Sequence, residues 1–139
     1  MPESPELPDL ALAPGEFMRV LGLDLGEVSG SRVTGSLELT PEHNTPWGVV
    51  HGGVYTAVIE TVASLGASLH VSDRDQFAVG VNNSTDFIRS APHGRLDVVA
   101  VPVQQGRVQQ LWEVTLRSGD TLIARGTVRL QNVPLSRAK

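Results

Sequence analysis

Cysteine is absent from the 139-residue chain, which excludes disulfides, thiolate metal sites and a cysteine nucleophile. Aromatic residues are scarce: two tryptophans, one tyrosine and three phenylalanines, too few for the stacking platforms that grip single-stranded nucleic acid. Basic residues number 11 against 15 acidic ones, a formal net charge of −4, so nucleic acid is not an expected partner. No uninterrupted apolar run approaches the ~18 residues of a membrane span. Residues 1–16 are acidic and hold four prolines, where a secretory signal needs a basic start and then an apolar stretch. These absences lead us to expect a cytoplasmic protein with no membrane partner. Its 40% hydrophobic content suits a globular fold. We expect a flexible N-terminal segment over 1–16, one domain over 17–132 and a tail over 133–139.

Charge is also missing locally. Between His43 and Ser72 the sole formal charge is Glu60. The sign is uneven too: residues 1–73 carry two basic and ten acidic residues, residues 74–139 nine basic and five acidic. A basic second half could present a surface to an anionic ligand.

What remains reads mostly as strands. Residues 32–40 alternate, with Val33, Gly35, Leu37 and Leu39 on one face, the pattern of a half-buried strand. Segments 77–90, 95–103, 108–117 and 121–131 follow, separated by short glycine-containing breaks that suit hairpins. Together they predict a four-stranded antiparallel meander. Residues 17–27 suggest a short helical turn and then an edge strand. Residues 53–70 differ: they lack proline, and their apolar positions fit a helix. Being apolar nearly all round, this helix is expected to be buried. The architecture is then α+β, a five- to six-stranded antiparallel sheet wrapped around one long central helix.

Glu60 is the residue such a helix must explain. Thr56, Glu60 and Ser64 share one face at i, i+4 spacing. A buried carboxylate needs hydroxyls, backbone amides or a cation such as Arg89 or Arg125. Desolvation favours the neutral acid, which suits a carboxylate to act as a base near neutral pH. Ahead of the helix stands Asn44-Thr45-Pro46-Trp47-Gly48-Val49-Val50-His51-Gly52-Gly53. The two glycines fall where helical N–H groups have no intrahelical partner, so a ligand oxygen could approach them. A tight turn that needs glycine explains the same pair.

His51-Gly52-Gly53 followed by Glu60 resembles the hotdog-fold acyl-CoA thioesterases, in particular the branch with the 4-hydroxybenzoyl-CoA and phenylacetate-pathway enzymes. The resemblance runs over roughly 18–132 and includes Leu21-Gly22-Leu23 and the 82–91 segment. It implies that Glu60 is the catalytic carboxylate, as nucleophile or general base. Gly52 or Gly53 would polarise the thioester carbonyl, His51 would sit beside the leaving thiol or hold the loop, and Ser64 would help place water or Glu60. The family often has Asn or Gln six residues before the histidine. Here Thr45 holds that position with Asn44 beside it, so either could meet substrate. Trp47 could line an acyl pocket, and Arg89, Ser90 and Arg107 are candidates to contact coenzyme A. No metal or cofactor is implied. The expected partner is an acyl-CoA, aromatic acyl groups included, and the expected assembly is a homodimer pairing further into a homotetramer.

Two alternatives stand beside this reading. One is a non-catalytic hotdog protein that binds acyl-CoA or another apolar ligand. The other is a hydratase or dehydratase of enoyl or hydroxyacyl thioesters, which would pair a histidine with a carboxylate on a different motif. His43, His70 and His93 are isolated in sequence and read as surface or loop residues.

Overall fold

The computed structural model describes residues 15–138. The expected flexible segment therefore lies almost wholly outside the described residues. A short helix α1 (Glu16–Leu21) closes on Gly22, whose left-handed backbone (φ 85°) lets its N–H return to Met18 and Arg19 carbonyls. Strands β1 (Asp24–Val28) and β2 (Val33–Leu39) follow, then the central helix α2 (Gly52–Val71). The chain finishes with β3 (Gln76–Phe87), β4 (Gly94–Gln105), β5 (Gln109–Ser118) and β6 (Thr121–Pro134).

All six strands join one antiparallel sheet in the order β1-β2-β4-β5-β6-β3. This is the hotdog arrangement, with the sheet curled around α2. The order corrects the expected four-stranded meander. Only β4, β5 and β6 form one; β3 pairs with β6 at the far edge, so the segment after it must cross to reach β4. The expected tail is also too long, because β6 runs to Pro134 and Leu135 is buried, its N–H on Asp75 O.

Alternation explains the core. Val33, Leu37 and Leu39 of β2, Leu96, Val98 and Ala100 of β4, and Trp112, Val114 and Leu116 of β5 turn inward onto Val58, Ile59, Val62 and Ala63 of α2. By length and composition the stretch Gly52–Arg74 is long and apolar enough to cross a membrane, although Glu60 and small polar residues interrupt it. In this fold the sheet covers its apolar face instead.

A polar cluster closes the C-terminal half of α2. Gln110, almost fully buried, donates to Ala67 O (2.9 Å) and Asn132 Oδ1 (2.8 Å) and accepts from Trp112 Nε1 (3.0 Å). Asn132 in turn donates to the Gly106 and Arg107 carbonyls of the β4–β5 turn. Every member has a partner, so the cluster fixes the sheet against the helix without an orphaned group.

Candidate active site

The entry to α2 is organised by its histidine. His51 is the N-cap, and its Nδ1 accepts the Gly53 N–H at 2.7 Å. That bond requires an unprotonated Nδ1, so the neutral ring carries its proton on Nε2. The two glycines have separate steric reasons. A Cβ at Gly53 would lie 2.8 Å from His51 Nδ1, and one at Gly52 would lie 2.8 Å from Phe87 Cζ. With Gly53 N–H held by His51, the Gly52 N–H is the one without a hydrogen-bond partner among the described residues. Of the two candidate amides, Gly52 is therefore the one free to meet a ligand oxygen.

The preceding segment is a small hairpin. Asn44 and Val50 form a bridge, Thr45 N–H donates to Val49 O (2.7 Å), and Gly48 takes the left-handed conformation (φ 81°) that closes the turn. Trp47 sits at its tip and is 86% exposed. Asn44 Oδ1 lies 2.9 Å from His93 Nε2, and Thr45 Oγ1 accepts the Trp47 N–H. Both side chains are thus held within the protein. His43 also proves to be structural: its Nδ1 accepts from Thr40 N–H and its Nε2 faces Leu21 O at 3.0 Å, which ties the hairpin to α1.

Glu60 departs from expectation in one respect. It is exposed in the single chain, not buried. The sheet covers the Val58-Ile59-Val62 side of α2 and leaves the Thr56–Glu60–Ser64 stripe less covered, with only β3 beside the carboxylate. It forms no ion pair among the described residues. Arg125 pairs with Glu113 at 3.0 Å instead. The carboxylate lies in an open cleft of about 370 Å³ lined by Phe17, Thr56, Ala57, Glu60, Thr61 and Asn83. Ser64 is half-buried one turn beyond. Phe17 and Asn83 escaped the sequence reading, because neither belongs to the motif. Asn83 could have been found only from the register of β3.

The remaining candidates fall at opposite ends. Arg89 and Ser90 are exposed just beyond β3, where Arg89 N–H meets Ile123 O, on the side of the α2 N-terminus. Arg107 lies in the β4–β5 turn, beside Asn132, which pairs with Ala78 at the start of β3. Within one subunit these arginines do not converge on one ligand.

The phenol of Tyr55, one turn into α2, is buried against Phe87 with ring centroids 6.0 Å apart. Burial raises its pKa above the usual 10.0, and the nearby Ala91 backbone, short of hydrogen-bonding geometry to the hydroxyl, offsets less than that. Its hydroxyl completes no hydrogen bond among the described residues.

A family model described as the thioesterase superfamily matches residues 48–124, from the hairpin through β6's first residues, and so spans the Gly52 amide, Glu60 and Asn83. The chain belongs to the thioesterase superfamily. It is a thioester hydrolase by that membership. A Mycobacterium tuberculosis protein provisionally named as an esterase, Rv1847, is 40% identical over 136 residues, covering 96% of this chain and 97% of that one. Its solved structure superposes with a TM-score of 0.84 at 42% identity, over 86% of this chain and 98% of that one. AziG of S. sahachiroi gives 0.84 at 38% identity, over 88% and 99%. A 1,4-dihydroxy-2-naphthoyl-CoA thioesterase of Arabidopsis thaliana is 35% identical over 100 residues, 71% of this chain and 62% of that one.

Proposed function

We propose that this thioester hydrolase acts on acyl-CoA, with Glu60 as its catalytic carboxylate and the Gly52 N–H as the donor to the thioester carbonyl. The relative named for a naphthoyl-CoA substrate supports an aromatic acyl group. Phe17 in the cleft and the exposed Phe87 and Trp47 near the helix entry would supply apolar contact.

One observation carries the arrangement. Gly52 and Glu60 are eight residues apart on a continuous helix, which separates them by ~12 Å along its axis. A carbonyl held by Gly52 and an attacker held by Glu60 must meet within ~3 Å. One subunit cannot do both for the same thioester. The free Gly52 amide of one subunit would instead face the Glu60 cleft of a second. Strand β3 offers the means: it is a 12-residue edge with its outer side unpaired and with Val79 and Val81 exposed. A dimer formed there would also remove water from the carboxylate. Further pairing into a tetramer is compatible with it.

In the reaction, Glu60 takes a proton from water as the water adds to the carbonyl carbon, or adds directly to give an anhydride that water then opens. The Gly52 N–H stabilises the oxyanion in either case. Collapse breaks the C–S bond, and the thiolate leaves as the free thiol after protonation. Thiolate is a good leaving group, so a single carboxylate and a polarised carbonyl suffice. His51 keeps Gly53 N–H occupied and so shapes the turn that presents Gly52. The test is release of free thiol from a panel of aromatic and aliphatic acyl-CoAs, followed with a thiol reagent alongside sedimentation of the same sample. Turnover by a dimer or larger assembly is expected. Ligand binding without thiol release, or full turnover by a monomer, would overturn it.

A further inference from the structure

We propose that Asn83 is a positioning residue for Glu60, set there by a one-residue bulge in β3; the inference rests on Glu60 being the catalytic carboxylate. The β3–β6 register slips between Gly80, opposite Leu130, and Asn82, opposite Arg129, leaving Val81 as the extra residue. In an uninterrupted strand residues 80 and 83 face opposite sides. One extra residue reverses the alternation, and both then face α2.

Each does something specific there. A Cβ at Gly80 would lie 3.5 Å from Glu60 Cδ, so Gly80 forms the floor on which the carboxylate rests. Asn83 Nδ2 donates to Thr56 O at 3.0 Å. In an α-helix the carbonyl of residue 56 also accepts the N–H of residue 60. Asn83 thus holds the very carbonyl from which the Glu60 backbone hangs. The orientation of the amide follows from its partners: a flip would set Oδ1 against Thr56 O, acceptor against acceptor, whereas as placed Oδ1 accepts the Thr85 hydroxyl at 2.7 Å. Thr85 has room for its hydroxyl because position 126 is glycine: a Cβ there would sit 2.6 Å from Thr85 Oγ1. The chain of support runs from Gly126 through Thr85 and Asn83 to Thr56 and Glu60. Three of its members, Asn83, Thr56 and Glu60, line the cleft.

The experiment compares Asn83→Leu, Thr85→Val and Glu60→Gln with the unaltered protein by steady-state thiol release, with melting and sedimentation to show that each is folded and assembled. Leucine matches asparagine in shape and lacks the donor. Because misplacement of about 1 Å at a reacting group costs up to ~10²-fold, Asn83→Leu should lower kcat about tenfold to a hundredfold and leave KM within about threefold. Thr85→Val should lower kcat in the same direction by less. Restoration of part of kcat by Asn83→Gln, which keeps the donor, supports the assignment. Folded Asn83→Leu with unchanged kcat, or a rise in KM alone, overturns it. If Asn83→Leu does not fold, Thr85→Val decides: unchanged kcat overturns the inference and a selective kcat loss supports it. Glu60→Gln separates the two levels. An active Glu60→Gln removes the reading of the cleft; an inactive one beside fully active Asn83→Leu and Thr85→Val removes only the positioning role.

Discussion

Replacing Gly66 with alanine sets two effects of opposite sign against each other in the middle of α2. Alanine is the better helix former by about 1 kcal/mol, and it also restricts the unfolded chain. In an uncovered helix this substitution would stabilise. Here the new Cβ would stand 2.4 Å from Trp112 Cη2 and 2.7 Å from Cζ3, about 1 Å short of ordinary contact. Trp112 is fully buried, and its indole N–H is held by Gln110 Oε1 at 3.0 Å, so the ring cannot slide away without breaking that bond. Overpacking of this kind costs ~1–3 kcal/mol, and the tethered ring puts it toward the upper end. The net expectation is a loss of about 1–2 kcal/mol. With an unfolding entropy near 2.1 cal/mol/K per residue, each kcal/mol moves the midpoint of a chain this size by ~3 °C. Calorimetry should therefore show Gly66→Ala melting roughly 3–7 °C lower. Trp112→Phe combined with Gly66→Ala should lose less than the sum of the two single losses. A melting temperature equal to or above that of the unaltered protein would refute the argument that Gly66 exists to seat the indole.

Two further outcomes follow from buried polar groups. Tyr55→Phe removes a hydroxyl with no partner, so its stability at neutral pH should be unchanged or raised by up to ~1 kcal/mol. Because the folded phenol is raised above 10.0, its contribution is complete below that pH and is lost as the pH rises through the raised folded value. The variant should lack this part of the alkaline loss in a melting series from pH 8 to 11, and a clear destabilisation at neutral pH would contradict the account. Gln110→Leu leaves Trp112 Nε1 and Asn132 Oδ1 without their partner in the interior. A loss of ~3 kcal/mol in the urea-derived stability is expected, and a change below ~0.5 kcal/mol would show the cluster to be dispensable.

The elements were legible where one face of the chain is buried and the other wet. The alternation of Val33, Leu37 and Leu39 located β2, and the proline-free apolar stretch located α2 to within a residue at each end. Pairing order was not legible, because the loop after Phe87 has the length and composition of a hairpin yet carries the chain across the sheet. The scarcity of charge between His43 and Ser72 pointed to Glu60, but it merged two environments. One is the covered side of α2. The other is an exposed hairpin that holds Trp47 out from the surface. Composition reports how apolar a helix is and not which stripe the sheet leaves open, so the exposure of Glu60 could not be read. Asn83 was hidden for a related reason. Read as one regular strand, 77–90 turns it away from Gly80, and only the slip at Val81 brings the two together.

The direct measurement of the central claim is steady-state thiol release by Glu60→Gln on the best acyl-CoA substrate. Glutamine keeps the size and polarity of the side chain and removes its capacity to accept a proton or attack. The exposed position in the single chain means that the fold should be unaffected. A fall in kcat of ~10²–10⁴-fold, with melting and assembly unchanged, is the predicted result. Turnover close to that of the unaltered protein would contradict it.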